Sequence, residues 1–169
     1  MEDRLRYILS VVNEWLKFAE AKNGALLAVD VAIMFGILQL ISNTSSKGWT
    51  YLAIFLIGLS AISALLSFIP QLKVTSSAKQ KRGGKETSLI FYGHIAKYDP
   101  ENYVRTLYSG AGIEGPSIAL IELDFAQQIV SNSRIALRKN RYFSAGLWLT
   151  VLGLVSFLVP LLISAVGTG

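Results

Sequence analysis

The residues best suited to chemistry are concentrated in residues 91–98, where aromatic rings, the single histidine and an ammonium group stand close together. Arg105, Arg134 and Arg138 follow further along the chain, the last two one helical turn apart. Guanidinium groups bind phosphate through paired hydrogen bonds and also stack on aromatic faces. This combination is typical of a site for a phosphorylated ligand that carries a flat base. The candidate ligand-binding residues are Tyr92, His94, Lys97, Tyr98, Arg105, Arg134 and Arg138.

The same residues can also have a purely structural role. The aromatic side chains can form the core of a small helical bundle, and the arginines can face water or anionic lipid headgroups. Spacing alone does not choose between a ligand site and a bundle core.

Catalytic groups are scarce, which argues against an enzyme. The chain has no cysteine and one histidine, and no residues are spaced as a metal-ligand cluster. Residues 83–85 (GGK) resemble a phosphate-binding loop only superficially, because the spacing of that motif and its preceding strand are missing. Asp99 and Glu101 flank Pro100 as expected at the start of a helix. We therefore predict no catalytic residue, no metal site and no cofactor.

One acid is unusual because it lies inside an apolar run. Asp30 falls within residues 24–41, which are otherwise almost wholly apolar. A charged side chain inside a bilayer is unfavourable unless it faces other helices or water. Asn23 lies seven residues earlier, on roughly the same helix face. Asn23 and Asp30 are therefore candidate polar residues of a pore or gate, with Ser60 or Ser63 as possible contacts of Asp30. A protonated or paired acid near the membrane interface is the alternative.

Composition places the elements that carry these residues in a membrane. The 169-residue chain is 52% hydrophobic and only 16% charged, whereas soluble domains carry about 25% charged residues. Apolar runs cover residues 24–41, 49–69 and 142–163. About twenty helical residues cross a hydrocarbon core of about 30 Å. The chain is therefore predicted to have three transmembrane helices.

The distribution of basic residues predicts the orientation of these helices. The region of residues 71–141 contains eleven Lys and Arg, whereas residues 42–48 contain only Lys47 and residues 164–169 contain none. Basic segments stay on the cytoplasmic side of a membrane, so we expect the N-terminus and residues 71–141 in the cytoplasm. The predicted segments are a cytoplasmic amphipathic helix (1–23), transmembrane helix 1 (24–41), an outer turn (42–48), transmembrane helix 2 (49–70), a cytoplasmic helical region (71–141), transmembrane helix 3 (142–163) and an outer tail (164–169).

Apolar stripes predict that two helices continue from the cytoplasm into the membrane. In residues 5–19 apolar side chains recur at three- and four-residue steps, and no proline separates this arm from the first apolar run. A second stripe precedes the third span and leaves Glu122 on another face. We therefore expect long helices over about residues 2–41 and 117–163. The second stripe consists of Ile118, Ile121, Phe125, Ile129, Asn132 and Ile135.

Turn residues divide the remaining cytoplasmic segment. Residues 75–86 are polar and basic and include two adjacent glycines, which predicts a flexible loop. A short helix is expected over residues 99–108, where glycines follow. The predicted fold class is an all-α membrane protein with three transmembrane helices and a small cytoplasmic helical bundle. Extensions of the first and last spans form this bundle together with short helices between spans two and three.

Small residues on the second and third spans predict close helix association. Gly58, Ala61 and Ala64 are three residues apart, and Gly146 and Gly153 are seven apart. Small side chains let helices approach closely in lipid. Because three spans alone bury few faces, we expect a homo-oligomer.

Three segments resemble the transmembrane effectors of the Pycsar anti-phage systems. They are residues 16–25 (LKFAEAKNGA), residues 89–101 (LIFYGHIAKYDPE) and residues 127–141 (QQIVSNSRIALRKNR). The order of these segments along the chain also matches. The resemblance extends over about residues 15–162, which is nearly the whole chain.

The resemblance implies a function. Members of this family are paired with a cyclase that makes cyclic CMP or cyclic UMP during phage infection. The effector senses that messenger and impairs the bacterial inner membrane, so that the infected cell dies before phage is released. The family carries no binding residues over to this chain, so the candidates named above remain inferences from the residues themselves.

The resemblance also implies partners and a location. The expected partners are a cyclic pyrimidine mononucleotide, the cyclase through its product, the lipid bilayer and further copies of the chain, with no nucleic acid. The expected location is the bacterial inner membrane, with the turn and the tail in the periplasm. The alternative function is a constitutive small membrane channel, scaffold or holin-like toxin without a nucleotide ligand.

Overall fold

The protein is all-helical in the part of the chain that the structure describes. The structure is a computed structural model and describes residues 1–41, 47–69, 88–113, 115 and 117–167. Within these ranges there is no strand, which confirms the predicted all-α class. The helices are α1 (Glu2–Leu40), α2 (Lys47–Leu66), α3 (Tyr92–Ile95), α4 (Pro100–Gly110) and α5 (Leu120–Gly167).

Three of these helices are long and apolar enough to cross a membrane, as the apolar runs predict. They are α1, α2 and α5, with 39, 20 and 48 residues. A 39-residue helix is about 58 Å long, roughly twice the thickness of a hydrocarbon core, so α1 and α5 each extend well beyond the lipid. Most of the predicted turn at residues 42–48, the loop at residues 75–86 and the end of the predicted tail lie outside the described residues.

Helix α4 begins and ends through local sequence signals. Asp99 is its N-cap with an extended backbone, and Pro100 occupies the first turn, where a missing amide hydrogen is harmless. After the helix, Gly112 adopts a φ of 74°, a left-handed conformation that favours glycine. This conformation lets the Ile113 amide donate to the Tyr108 carbonyl at 3.1 Å, which satisfies one of the last carbonyls of the helix.

The chain divides into two compact units. The bundle unit comprises Met1–Ala19 and Pro70–Arg138, and the membrane unit comprises Glu20–Ile69 and Lys139–Gly169. Helices α1 and α5 each contribute residues to both units.

The bundle unit is built around one apolar core with contributions from four helices. The predicted stripe on α1 is confirmed there, because Leu5, Ile8 and Val12 are fully buried. Burying a large apolar side chain contributes about 1.5–3 kcal/mol, so this core is the main force that holds the bundle unit together. The core residues are Leu5, Ile8, Val12, Ile95, Tyr103, Val104, Leu107, Ala126, Ile129 and Val130.

The predicted stripe on α5 is confirmed in part. Ile129 is buried in the core and Ile118 and Phe125 pack against it, but Ile121 is 48% exposed. Glu122, expected on another face, is buried on the same side as Ala126 and Val130. Here the Glu122 carboxylate accepts a hydrogen bond from the Tyr108 hydroxyl at 2.9 Å, which compensates its burial.

Small residues bring helices together within the membrane unit. A Cβ added at Gly146 would lie 2.9 Å from Leu26 Cδ2, and one at Gly153 would lie 2.7 Å from Ile57 Cγ1. Nothing lies within 4 Å of the position that a Cβ would take at Gly58. The two glycines of α5 thus serve packing inside one chain, and the homo-oligomer stays a prediction.

Candidate functional site

An aromatic group, formed by Trp15, Phe18, Phe91, Tyr92 and His94, lies at the start of α3 in the bundle unit. The buried Tyr92 ring lies 4.7 Å from the Phe91 ring and 5.6 Å from the Trp15 ring, between centroids. Phe18 continues the group, with its ring 6.4 Å from that of Trp15 in an edge-to-face arrangement. Phe91, Trp15 and Phe18 are exposed, so the group presents aromatic surface to the surroundings of the bundle unit. Exposed rings of this kind can stack on a nucleobase.

His94 orders the segment that precedes α3. Its Nδ1 accepts the backbone amide of Ser88 at 3.0 Å, so Nε2 carries the proton in the neutral ring. The Ser88 hydroxyl in turn accepts the amides of Ile90 and Phe91 at 3.3 and 3.2 Å. These bonds give His94 a structural role in addition to its place beside the Phe91 ring.

Arg134 joins α5 to the segment between α3 and α4. Its Nε donates to the Ala96 carbonyl at 3.1 Å, and its Nη2 donates to the Tyr98 carbonyl at 2.8 Å. Hydrogen bonds from a charged donor are stronger than neutral ones and contribute about 1.5–3 kcal/mol each. Arg134, which the sequence predicts to bind a phosphate, therefore also links two parts of the bundle unit in this structure.

A cleft of about 240 Å³ lies beside this arginine, between the start of α4 and the face of α5. Its wall combines one guanidinium, two carboxylates, an amide, a hydroxyl and two apolar side chains. Such a mixture offers donors and acceptors to a polar ligand, together with an apolar surface for the face of a ring. The lining residues are Asp99, Pro100, Glu101, Leu123, Gln127, Ser131 and Arg134.

The other predicted ligand-binding residues differ in their surroundings. Arg105 pairs with Glu101 at 2.8 Å, which places it next to the cleft although it does not line it. The Tyr98 ring packs 5.8 Å from the Tyr103 ring. Lys97 is exposed, and Arg138 is half-buried at the end of the bundle unit. The structure thus brings Tyr92 and His94 together in the aromatic group and relates Arg105 and Arg134 through the cleft.

Two tyrosines in the bundle unit are kept in their neutral form. The hydrogen bond to Glu122 raises the pKa of Tyr108, with burial and the charge of that carboxylate adding to it. Burial raises the pKa of Tyr103, followed by the effect of Tyr98, and the Tyr103 hydroxyl donates to the Leu89 carbonyl at 2.7 Å. Both hydroxyls therefore act as fixed hydrogen-bond donors that hold the bundle.

Asp30 is fully buried in the membrane unit and has hydroxyl partners on two other helices. The Ser60 hydroxyl donates to Oδ2 and the Thr150 hydroxyl donates to Oδ1, each at 2.6 Å. The contact with Ser60 was one of the two possibilities that the sequence suggested. The other candidate, Ser63, donates to the Tyr142 carbonyl at 3.1 Å.

Asn23 belongs to a second polar group of the membrane unit, centred on Lys139. The Asn23 side-chain amide donates to the Lys139 carbonyl at 3.1 Å. Lys139 is only 6% exposed, and its ammonium donates to the Ser67 carbonyl at 2.9 Å and lies 3.2 Å from a Glu20 carboxylate oxygen. A buried ammonium with two such partners is compensated for the water that it loses.

Sequence reasoning missed three residues of these groups. Trp15 falls within the apolar stripe of residues 5–19, which predicts a core position, although it is 41% exposed. Lys139 is one of the eleven basic residues of the region 71–141, whose charge indicates topology and gives no sign of burial. Thr150 gave no signal, because a threonine in a long apolar run can bond to its own helix backbone.

These features define a class: an all-helical membrane protein in which two long helices belong both to a membrane unit and to a bundle unit with a polar cleft. Comparison with known proteins gives the family. A family model described as the Pycsar effector protein domain (PycTM) matches residues 4–166. The chain is 31% identical over 160 residues to the Pycsar effector protein PtPycTM of Propioniciclava tarda, across 90% of this chain and 74% of that protein.

The chain therefore belongs to the Pycsar effector family, as the three segments of resemblance indicate. Membership implies an anti-phage defence effector and a transmembrane protein, and this family is not a family of enzymes. No solved structure matches the chain.

Proposed function

We propose that the protein binds cyclic CMP or cyclic UMP, made by a partner cyclase on phage infection, and then impairs the inner membrane. The infected cell dies before phage is released, which is abortive infection. Family membership supports the defence role and the pairing with a cyclase through a cyclic nucleotide. The observation that carries the sensing step is the cleft of the bundle unit, with Arg134 in its wall.

The lining of the cleft suits the groups of a cyclic pyrimidine mononucleotide. The Arg134 guanidinium suits the cyclic phosphate. The carboxylates of Asp99 and Glu101 can accept hydrogen bonds from the ribose 2′-hydroxyl or from the amino group of cytosine. Gln127 and Ser131 can bond to the edge of either base. A volume of about 240 Å³ favours a single nucleotide, since it is smaller than a typical site for a drug-sized ligand.

Arg134 offers a route from ligand binding to a change in α5. A phosphate in the cleft competes with the Ala96 and Tyr98 carbonyls for this guanidinium. Loss of those bonds frees α5 to shift within the bundle unit, and α5 is one helix that also contributes to the membrane unit. The ligand acts only through its different affinity for the two arrangements of the helix. Asn23 and Asp30 are the proposed polar residues of the gate in the membrane unit.

The remaining candidates supply a second surface for the base. Tyr92 and His94 lie in the aromatic group, and Lys97 is close to them in the chain. We propose that this aromatic group is a stacking surface for the base. We expect Trp15→Ala to weaken nucleotide binding by removing part of that surface. The cytoplasmic orientation of the N-terminus and of residues 71–141 would place both surfaces where the cyclase product is made.

Titration calorimetry of the purified full-length chain against cyclic CMP, cyclic UMP, cyclic AMP and cyclic GMP tests the sensing step. We expect binding of a pyrimidine nucleotide, and we expect Arg134→Ala to weaken it at least tenfold because a charge-assisted contact is lost. Arg105→Ala should weaken it less, by removing the partner of Glu101. Arg6→Ala is the matched control, since Arg6 forms the equivalent exposed pair with Glu2 and does not line the cleft.

A second readout is the membrane potential of cells that express the protein. We expect depolarisation when the bound pyrimidine nucleotide is produced in the same cells, and a reduced response for Arg134→Ala. If no cyclic mononucleotide binds and none depolarises the cells, the ligand proposal fails. A constitutive channel, scaffold or holin-like toxin would then explain the fold.

A further inference from the structure

A closed ring of hydrogen bonds lies inside the membrane unit and takes one residue from each of its three helices. Ser60 Oγ lies 2.6 Å from Asp30 Oδ2, and Thr150 Oγ1 lies 2.6 Å from Asp30 Oδ1. The two hydroxyl oxygens of Ser60 and Thr150 are themselves 2.9 Å apart. All three side chains are buried, with at most 3% of Thr150 exposed, so the ring is sealed from its surroundings.

Both hydroxyls of the ring donate to the same carboxyl group. The Ser60 hydroxyl donates to Asp30 Oδ2, and the Thr150 hydroxyl donates to Asp30 Oδ1 while it also faces Ser60 Oγ. The Asp30 side chain on α1 is therefore the acceptor that joins α2 to α5.

The ring compensates Asp30 for its burial. Among the described residues its partners are the two hydroxyls, and it forms no ion pair. A buried acid without partners is strongly unfavourable in lipid, so moving Ser60 or Thr150 away from Asp30 costs free energy.

Gly146 affects both the closed and the open form of the ring. A Cβ at Gly146 would lie 3.1 Å from Ser60 Oγ, so the glycine makes room for the serine in the ring. The Gly146 carbonyl is also a second acceptor for the Thr150 hydroxyl, at 3.2 Å. When the ring opens, Thr150 therefore keeps a partner on its own helix, which lowers the energy of the open form.

We propose that Asp30, Ser60 and Thr150 form a hydrogen-bonded lock that holds the three membrane helices in this packing and must open before the membrane is impaired. This inference rests on the proposed function for its trigger, because Thr150 and Arg134 are both on α5. A rotation or shift of α5 withdraws Thr150 from the ring and leaves Asp30 and Ser60 without their third partner.

Leakage from proteoliposomes that contain the purified full-length chain, without nucleotide, tests the lock. Thr150→Val keeps the shape of the side chain and removes the hydroxyl, and Ser60→Ala removes the other hydroxyl on a different helix. We expect each to raise the basal leak by roughly three- to twentyfold, the factor that corresponds to one interhelical hydrogen bond in a membrane. Thr150→Ser, which keeps the hydroxyl, is the matched control and should leak as the unmodified protein does.

Asp30→Leu tests the third member of the ring. Leucine has a similar size but accepts no hydrogen bond, so both hydroxyls lose their acceptor on α1. We expect Asp30→Leu to leak, and Asp30→Asn, which keeps an oxygen that accepts from Thr150, to leak less. If Asp30→Leu is as tight as the unmodified protein, or if Thr150→Val and Ser60→Ala are both tight, there is no lock.

The two proposals can fail separately. If the unmodified protein responds to a pyrimidine nucleotide while both hydroxyl variants stay tight, the lock is wrong and the sensing stands. If those variants leak while no nucleotide binds, the lock stands and the ligand is wrong. Nucleotide titration and thermal unfolding of each variant in detergent distinguish a leak caused by opening of the ring from a leak caused by a misfolded bundle unit.

Discussion

At the scale of single residues, Lys139 is the cation that the membrane unit holds most deeply among those described. Its ammonium donates to the Ser67 carbonyl just beyond the end of α2 and pairs with Glu20 on α1. Lys139→Met keeps the apolar length of the side chain but removes both contacts. We expect it to lower the free energy of unfolding by about 1–3 kcal/mol, the effect of leaving a buried acceptor unsatisfied.

Unfolding of the purified protein in detergent by heat or denaturant measures this loss. Lys17→Met is the control, because Lys17 is an exposed lysine on α1 in the bundle unit. The control should change stability by less than about 0.5 kcal/mol. Equal losses for the two variants would show that Lys139 contributes only its charge.

Single residues also show where sequence reasoning reaches its limit. Asp30 was recognisable because an acid inside an apolar run is unfavourable without partners. The sequence offered Ser60 or Ser63 as its contacts without choosing between them, and it did not indicate Thr150, which lies 120 positions away and reaches Asp30 only through tertiary packing. In the same way, Arg134 was recognisable as a candidate phosphate ligand, but its bonds to the Ala96 and Tyr98 carbonyls follow from the course of the chain after α3.

At the scale of elements, the contact between α2 and α5 depends on Gly153. A Cβ at this position would lie 2.7 Å from Ile57 Cγ1 and 3.2 Å from the Ala53 carbonyl oxygen, and a backbone carbonyl cannot rotate away. Gly153→Ala should therefore force α2 and α5 apart and destabilise the membrane unit by about 1–3 kcal/mol. Thermal unfolding in detergent checks this expectation.

Gly58→Ala is the matched control for the same substitution. Nothing lies within 4 Å of the new Cβ, and alanine is a better helix former than glycine, so stability should stay equal or rise. If Gly58→Ala instead dissociates an oligomer seen by native mass spectrometry, the open face of α2 at Gly58 is the association surface. A loss of stability at Gly58 equal to that at Gly153 would contradict the packing described for α5.

The elements themselves were largely predictable, and their phases were less so. Runs of about twenty apolar residues leave the chain few alternatives to membrane-spanning helices, which is why α1, α2 and α5 follow from composition. The face that α5 presents to the bundle core followed only in part, because Ile129 is buried as its periodicity predicts, whereas Ile121 is exposed and Glu122 is buried. The hydrogen bond from the Tyr108 hydroxyl compensates the burial of Glu122, and that bond depends on how α4 packs.

At the scale of the whole molecule, the three helices of the described residues that are long enough to span a membrane would place the regions before the first and after the last of them on opposite sides. The eleven Lys and Arg of residues 71–141 predict that this region is cytoplasmic, whereas residues 42–48 carry only Lys47. The sensing proposal needs this orientation, since the cyclase product is made in the cytoplasm. Orientation is therefore the property of the molecule on which the largest part of the proposed function depends.

The absence of cysteine makes this orientation directly measurable, because a single introduced thiol is the only one that can react. Lys97→Cys and Lys47→Cys place that thiol at two exposed positions, one in the bundle unit and one at the start of α2. In intact spheroplasts a membrane-impermeant maleimide should label Lys47→Cys and spare Lys97→Cys until the cells are opened. Labelling of Lys97→Cys in sealed spheroplasts would put the bundle unit on the outer face, where a cytoplasmic cyclic nucleotide cannot reach its cleft.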